Sequence, residues 1–387
     1  MIRSLYVYKF FSDLVLLYPV YTLLFASKGL SAFDISLLFI IWSISAIIFE
    51  IPSGAWADRY SRRNLLIMSE VLTGIGFLSW FCFQNFTGFA IGFVLWGGAM
   101  AITSGTFQAL LYDELTAQSQ QKSYARILGK TESLSFLAIY LTTLGAAVAL
   151  QNGYALIVVL SLATKIIAVI SLLLLPNVKA RKSVSESITV LIRRGAKLAF
   201  SNPQVIKVFV IGGFLGVIFE TLREYDALFL KDLGIPDASI PLIFALMGPA
   251  TVIGSYVAYK LELWKEWLLM LFLIMSGSSL VLASYAPIIA GIALLSLFLF
   301  SMKALNTVYA ARLQHAIDGN LRATVTSFNG FITRVGAVVG FISFGILANH
   351  IDYVATYSVF GALIIIGALA NIAYSYLATQ HTPIPKS

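Results

Sequence analysis

The hydrophobic pattern of the chain repeats one unit from end to end: an apolar run of about twenty residues, closed by a short polar break. Twelve such runs are read at 5–27, 34–55, 64–84, 87–111, 131–151, 154–175, 206–230, 239–259, 267–285, 287–310, 327–348 and 353–377. At about 1.5 Å of rise per residue, runs of this length span a hydrocarbon core about 30 Å thick. The expectation is an all-α membrane protein with twelve transmembrane helices. The first run reaches span length with no Ala-x-Ala site after it, so it is read as a span and not as a cleaved leader.

The polar breaks differ in charge on the two sides. Arg59, Arg62, Arg63, Lys122, Arg126, Lys130, Lys260, Lys265, Arg312 and Arg322 fall on one side of the twelve-span arrangement, and the other keeps only Lys28 and Lys231. The longest polar connection, Asn177–Lys207, lies on the basic side and adds Lys179, Arg181, Lys182, Arg193, Arg194 and Lys197. Positive charge is retained in the cytoplasm, so both termini and this connection are expected there. Residues Ile188–Phe200 read equally as an amphipathic helix on anionic headgroups or as a solvated linker.

Composition agrees. The chain is 59% hydrophobic and 11% charged, with mean hydropathy +0.88, against about 45–50% and about 25% in soluble domains. The net charge of +8 is scattered along membrane edges and serves topology, so nucleic acid is not an expected partner. The single cysteine, Cys82, excludes an internal disulfide. His315, His350 and His381 lack metal-ligand spacing. No Gly-x-x-x-x-Gly-Lys-Ser/Thr loop occurs, so ATP is not the energy source. No nucleophile elbow or catalytic triad is evident. The reading is a non-enzymatic membrane protein without cofactor or metal.

The two halves echo each other. Gly29-Leu-Ser-Ala-Phe-Asp-Ile-Ser-Leu-Leu-Phe39 and Gly234-Ile-Pro-Asp-Ala-Ser-Ile-Pro-Leu-Ile-Phe244 share length, first Gly and last Phe. Gln108 precedes Leu115 by the interval at which Asn306 precedes Leu313, and Arg126 and Arg322 hold similar places. One offset of about two hundred residues relates all three, as parallel structural repeats require. The expected divisions are a six-helix half over 1–176, a cytoplasmic linker over 177–205 and a second six-helix half over 206–387.

Residues 54–63 read Gly-Ala-Trp-Ala-Asp-Arg-Tyr-Ser-Arg-Arg. This turn resembles the Gly-x-x-x-Asp-Arg-x-Gly-Arg-Arg/Lys signature that joins the second and third helices of major facilitator superfamily transporters. The resemblance implies the major facilitator fold, with two pseudo-symmetric six-helix halves and a substrate site between them. It also implies that Asp58 caps the eleventh helix, while Arg62 bridges Asp58 to an acid ending the fourth helix, here Asp113. Gly54, Arg59, Arg63 and Glu50, one turn before the signature, complete this cytoplasmic latch. Ser61 and Trp56 depart from the family pattern. The matching turn of the second half, Gly254-Ser-Tyr-Val-Ala-Tyr-Lys260, lacks the Asp, so a latch there is expected to be weak or absent.

Charges inside the spans are costly, by about 2.5–3.5 kcal/mol each on insertion scales, and are read as functional by default. Asp13 lies two turns into the first span, before Tyr18, Pro19 and Tyr21, with Pro19 a kink. The resemblance places the first and seventh helices around the cavity. A lone carboxylate there can exchange a proton against a cationic or polar substrate; the alternative is a structural ion pair with the other half. On the seventh span Glu220, Arg223 and Glu224 share a face; Arg223 cannot neutralise every acid there, so a surplus carboxylate among Glu220, Glu224 and Asp226 is read as a proton or cation site, the alternative being that Asp226 and Glu224, nearer the outer end, are exposed to water. Lys303 and Asn306 stand one turn apart on the tenth span, and Arg334 lies on the eleventh. Glu70 and Glu132 are placed near cytoplasmic ends, within reach of water or of basic neighbours, and Lys165 lies mid-span without an evident partner.

Among facilitators the runs Glu50-Ile-Pro-Ser-Gly-Ala-Trp-Ala-Asp-Arg and Ser104-Gly-Thr-Phe-Gln-Ala-Leu-Leu-Tyr-Asp resemble bacterial drug:proton antiporters. The fourth span lacks their Arg, and Leu144-Gly-Ala-Ala-Val-Ala lacks their Gly-Pro pair. The resemblance implies a monomeric secondary transporter of the bacterial cytoplasmic membrane, working by alternating access. Its expected partners are protons, lipid and a small-molecule substrate, and it exports amphiphilic compounds against the proton gradient. Alternatives are an exporter of one metabolite such as a metallophore, an importer of sugars or organic acids, and a non-transporting receptor.

Overall fold

The structure is a computed structural model that describes residues 2–176, 203–317 and 322–380. Its long elements are α-helices: α1 (Ile2–Asp13), α2 (Tyr21–Ser27), α3 (Ala32–Arg59), α4 (Arg62–Cys82), α5 (Phe86–Thr103), α6 (Thr106–Ala117), α7 (Tyr124–Ala149), α8 (Tyr154–Leu173), α9 (Pro203–Asp232), α10 (Ile240–Leu261), α11 (Glu266–Ala283), α12 (Ile288–His315), α13 (Arg322–Ile351) and α14 (Tyr353–Gln380). Among the described residues eleven helical stretches are long and apolar enough to cross a membrane, α5 and α6 counting as one. The first span expected, 5–27, is not among them, because it is not one continuous helix. It is interrupted at residues 14–20, between α1 and α2. The linker expected over 177–205 lies outside the described residues as far as 202.

Polar side chains at the membrane edges set the helix starts. Ser31 and Asp34 form a reciprocal capping box at the head of α3, satisfying amides that a helix start leaves open. Asn85 accepts from the Gly88 amide at 2.9 Å and opens α5. Ser61 opens α4 by accepting from the Asn64 amide at 3.3 Å. That capping role is the physical reason a serine suits the position where the family signature carries glycine. Between α5 and α6, Gly105 adopts φ +71°, a left-handed conformation that any side chain would oppose.

The chain separates into two compact units. The first comprises Met1–Ile192, Ile235–Ala245 and Ala337–Asn349; the second comprises Arg193–Gly234, Leu246–Gly336 and His350–Ser387. In the first, α4 packs on α5 and α8, while α1 packs on α7 and α8. Lipid tails supply no hydrophobic drive between helices, so close fit does the work. A Cβ at Gly92 would collide with the Trp80 indole, whose Nε1 donates to the Phe89 carbonyl at 3.0 Å. This unit also takes in the segment after α9: the Tyr154 hydroxyl meets Asp237 Oδ2 at 3.1 Å. In the second unit α11 packs on α12 and α14. The third and ninth spans therefore have equivalent neighbours.

Candidate functional site

The break in the first span is held by polar side chains of two other helices, α7 and α8. α1 ends at Asp13, and residues 14–20 form tight turns, with Val15, Leu16 and Leu17 buried. Non-helical backbone at membrane depth survives only where protein satisfies its polar groups. Here Lys165 Nζ of α8 donates to the Ser12 carbonyl at 2.8 Å. Thr142 of α7 reaches the Asp13 carbonyl at 3.5 Å, and the Leu17 amide donates to Ser161 Oγ of α8 at 3.1 Å. Pro19 marks this region in the sequence, but the interruption covers two turns because these partners exist.

The same residues carry a buried ionic network. Lys165 Nζ lies 2.9 Å from Glu70 Oε2 of α4, with both side chains almost fully buried. Ser12 Oγ donates to Glu70 Oε1 at 2.6 Å, and the Tyr8 hydroxyl lies beside both Ser12 and Glu70. Asp13 pairs with Lys9 one turn earlier at 2.9 Å, and it accepts a short hydrogen bond from Ser135 of α7. Asp13 is not isolated, because a lysine on its own helix neutralises it. Glu70 is only 3% exposed, so of its two expected surroundings, water or a basic neighbour, it has the second. Lys165 has a partner, and that partner is Glu70. The two stand 95 positions apart in the sequence, and nothing in the pattern of the chain singled out this pairing.

An aromatic wall adjoins this network. Tyr18, inside the break, stacks flat on Trp96 of α5, with centroids 5.3 Å apart and planes 6° from parallel. Trp42 of α3 lies 5.6 Å from the same indole. Phe77, Trp80 and Phe93 pack around Trp96 from behind and are buried. Tyr18, Trp42 and Trp96 themselves are half-buried. Tyr18 is also within electrostatic reach of Lys165, Glu70 and Asp13. Proton-bearing groups and an aromatic surface thus meet on one short irregular segment.

At the signature turn Arg62 Nη1 lies 3.1 Å from Asp113 Oδ2, both half-buried. Arg63 donates to the Leu175 carbonyl at 2.6 Å and ties the start of α4 to the end of α8. Glu50 is half-buried near the end of α3. The side chains of Gly54, Asp58 and Arg59 lie outside the described residues.

The second unit distributes its charges differently. Glu220 and Arg223 are exposed on α9, with Arg223 5.8 Å from the Phe219 ring centroid. Asp226 is not wet: it is 5% exposed and accepts from the Tyr357 hydroxyl at 2.9 Å. Lys303 is half-buried on α12, and its ammonium makes no hydrogen bond or ion pair among the described residues. Asn306, one turn on, donates back to the Met302 carbonyl at 3.0 Å. Arg334 is half-buried on α13. The latch expected to be weak or absent at the second-half turn has a counterpart a few residues later. Glu266, at the head of α11, accepts from Arg312 at 2.6 Å and from Tyr309 at 2.9 Å. This pair ties the starts and ends of helices as Arg62 and Asp113 do, with acid and base exchanged. A search for a second Asp in the turn could not find it.

Comparison with known proteins places this geometry in a family. A transporter of Bacillus subtilis, the uncharacterised MFS-type YxaM, is 23% identical over 363 residues, 90% of this chain and 89% of its own. Among solved structures, the nucleoside transporter NupG superposes with TM-score 0.79 at 14% identity, covering 96% of this chain and 98% of that one. The D-xylose–proton symporter superposes with TM-score 0.66 at 16% identity, covering 95% of each. At such identities these structures share the fold alone. Residues 10–340 match the family model of the Major Facilitator Superfamily, and the chain belongs to that superfamily: it is a multi-pass membrane protein of the secondary-transporter type, not an enzyme.

Proposed function

We propose that the protein exports small amphiphilic, drug-like molecules across a bacterial cytoplasmic membrane in exchange for protons, by alternating access. The observation that carries this reading is the break at residues 14–20. There two acid–lysine pairs, Glu70 with Lys165 buried and Asp13 with Lys9 half-buried, adjoin a half-open aromatic wall of Tyr18, Trp42 and Trp96. Aromatic faces accept planar and cationic molecules by stacking and cation–π contact. Buried carboxylates exchange protons when their surroundings change, because burial disfavours the charged form. In this account the two six-helix halves rock about the substrate, and Asp58, braced by Arg62 and Asp113, latches the cytoplasmic side closed.

A second reading is a dedicated exporter of one anionic metabolite. Lys303, mid-span and unpaired among the described residues, supports it, because an uncompensated membrane charge is retained for a ligand. One experiment separates the two. Inside-out vesicles carrying an imposed pH gradient are challenged with compounds by class, against a doubly neutralised Asp13→Asn/Glu70→Gln control. Gradient collapse by lipophilic cations, lost in the control, supports drug export. Collapse by anionic chelators or one organic acid, lost in Lys303→Ala, supports the second reading. Wild-type vesicles that respond to no compound overturn proton antiport.

A further inference from the structure

We propose that Glu70, with Lys165 as its counter-ion, is a proton-binding site whose occupancy controls the break in the first span and thereby the position of Tyr18. This rests on the proton-coupled reading above and names the residues that carry the coupling.

Ser12 is held at both its hydroxyl and its carbonyl. Its hydroxyl donates to Glu70 Oε1 at 2.6 Å, and its carbonyl accepts from Lys165 at 2.8 Å. Lys165 is in turn held by Glu70 at 2.9 Å. These three contacts close a ring that pins the end of α1 to α4 and α8. The groups that terminate α1 are therefore the groups that neutralise Glu70. A helix C-terminus presents unpaired carbonyls and the negative end of its dipole, so a lysine ammonium is a favourable occupant.

The surroundings of Glu70 make its charge depend on this ring. α1 faces it with Tyr8 and the break faces it with Tyr18, both of which also lie within electrostatic reach of Asp13. Lys9 and Asp13 neutralise each other at 2.9 Å. α8 contributes Lys165. α7 contributes the hydroxyls of Ser135 and Thr142, both directed to Asp13. α5 offers the Thr103 hydroxyl, which is engaged by Ser69. α6 brings Asp113, but that acid pairs with Arg62, eight residues and so about 12 Å along α4 from Glu70. Lys165 is thus the cation that balances Glu70.

A proton arriving on Glu70 removes the charge that holds Lys165. The ammonium then loses its strongest partner in a dry site, where a lone charge is poorly tolerated. The ring around Ser12 opens, and the end of α1, with the segment at 14–20 and Tyr18 that follow it, loses these ties to α4 and α8 and keeps the Leu17 bond to Ser161 on α8. Tyr18 forms the front of the Trp96 stack. A substrate that displaces it acts on the same segment from the other side. Linkage makes the effect reciprocal: whatever proton occupancy does to the wall, occupancy of the wall does to proton affinity.

The test reads the segment directly and does not need a known substrate. In a Cys82→Ser background, Leu14→Cys places one thiol in the break of the purified full-length protein. Its alkylation by a maleimide is followed in detergent from neutral to acid pH and corrected for the reactivity of a free thiol at each pH. The corrected rate is expected to rise by about tenfold as Glu70 takes up its proton, the scale of ordinary coupling between linked sites. Glu70→Gln is expected to be fast at all pH values. So is Glu70→Gln/Lys165→Met, which leaves no buried lone charge and keeps the test available if the single variant folds poorly. Asp13→Asn is expected to retain the pH response. A corrected rate that is flat in the wild-type background, or a pH response that survives in the double variant, overturns the proposal. Vesicles that show no proton flux would refute antiport but leave the labelling result to be judged on its own.

Discussion

Lys165 is the residue on which most of the buried chemistry of the first unit converges. It is 5% exposed and serves a carboxylate and a helix-terminal carbonyl together. Removing one partner of a buried pair leaves the other uncompensated, which costs about 3–5 kcal/mol, whereas replacing both by apolar or neutral groups is often tolerated. Lys165→Met is therefore expected to lower the unfolding temperature in detergent markedly, and Glu70→Gln/Lys165→Met to recover most of the loss. Equal losses in both would mean that the pair contributes little. Arg62 is a contrasting case. Its pair with Asp113 is half-buried and lies at a membrane edge, where one ion pair adds about 0–1 kcal/mol to stability. Arg62→Ala is expected to leave folding intact and to reduce the maximal transport rate with little change in KM, read from initial rates against substrate concentration. A raised KM at unchanged maximal rate would place Arg62 at the substrate instead. The turn at 54–63 pointed to Arg62 and Asp113 because spacing and charge lie in one short motif. Glu70 and Lys165 had no such local signal, since their pairing is a consequence of how α4, α8 and α1 pack.

At the scale of elements, two interruptions in otherwise helical spans stand out. The first, at 14–20, depends on borrowed partners. Ser161→Ala would leave the Leu17 amide buried without an acceptor, at a cost of about 1–3 kcal/mol. It is expected to lower thermal stability by a corresponding amount, and no change would mean that the backbone finds another acceptor. The second depends on one conformation. Gly105→Ala forces a side chain into left-handed backbone at about 1–2 kcal/mol and is expected to destabilise similarly. The helices themselves were legible, because runs of apolar residues closed by Ser31, Asn85 or Gly153 announce a span and its end. The sequence showed Pro19 and supported a kink, but the extent of the break follows from Lys165, Thr142 and Ser161, which lie more than a hundred positions away. The acid–base exchange between Arg62–Asp113 and Glu266–Arg312 was hidden for a related reason. A repeat can conserve a contact while inverting its charges, and a motif search keeps the sign fixed.

At the scale of the whole molecule, the family and the all-helical fold follow from hydropathy and one cationic turn, because a bilayer leaves few alternatives to a helical bundle. Substrate and direction do not follow, since they depend on side chains that converge only after folding. The orientation proposed from the lysine and arginine asymmetry has a direct check. In a Cys82→Ser background, Lys28→Cys is expected to react in intact cells with a membrane-impermeant thiol reagent, and Lys260→Cys only after the membrane is opened. The opposite pattern would reverse the topology. The central claim is that proton movement through the first unit drives export. It is tested most directly in proteoliposomes with an acid interior, by following uptake of a lipophilic fluorescent cation by transporters whose cytoplasmic side faces the bath. The account predicts uphill accumulation that a protonophore abolishes and that Asp13→Asn/Glu70→Gln does not support. Accumulation that is the same with and without the pH gradient, or unaltered in the doubly neutralised variant, would contradict it.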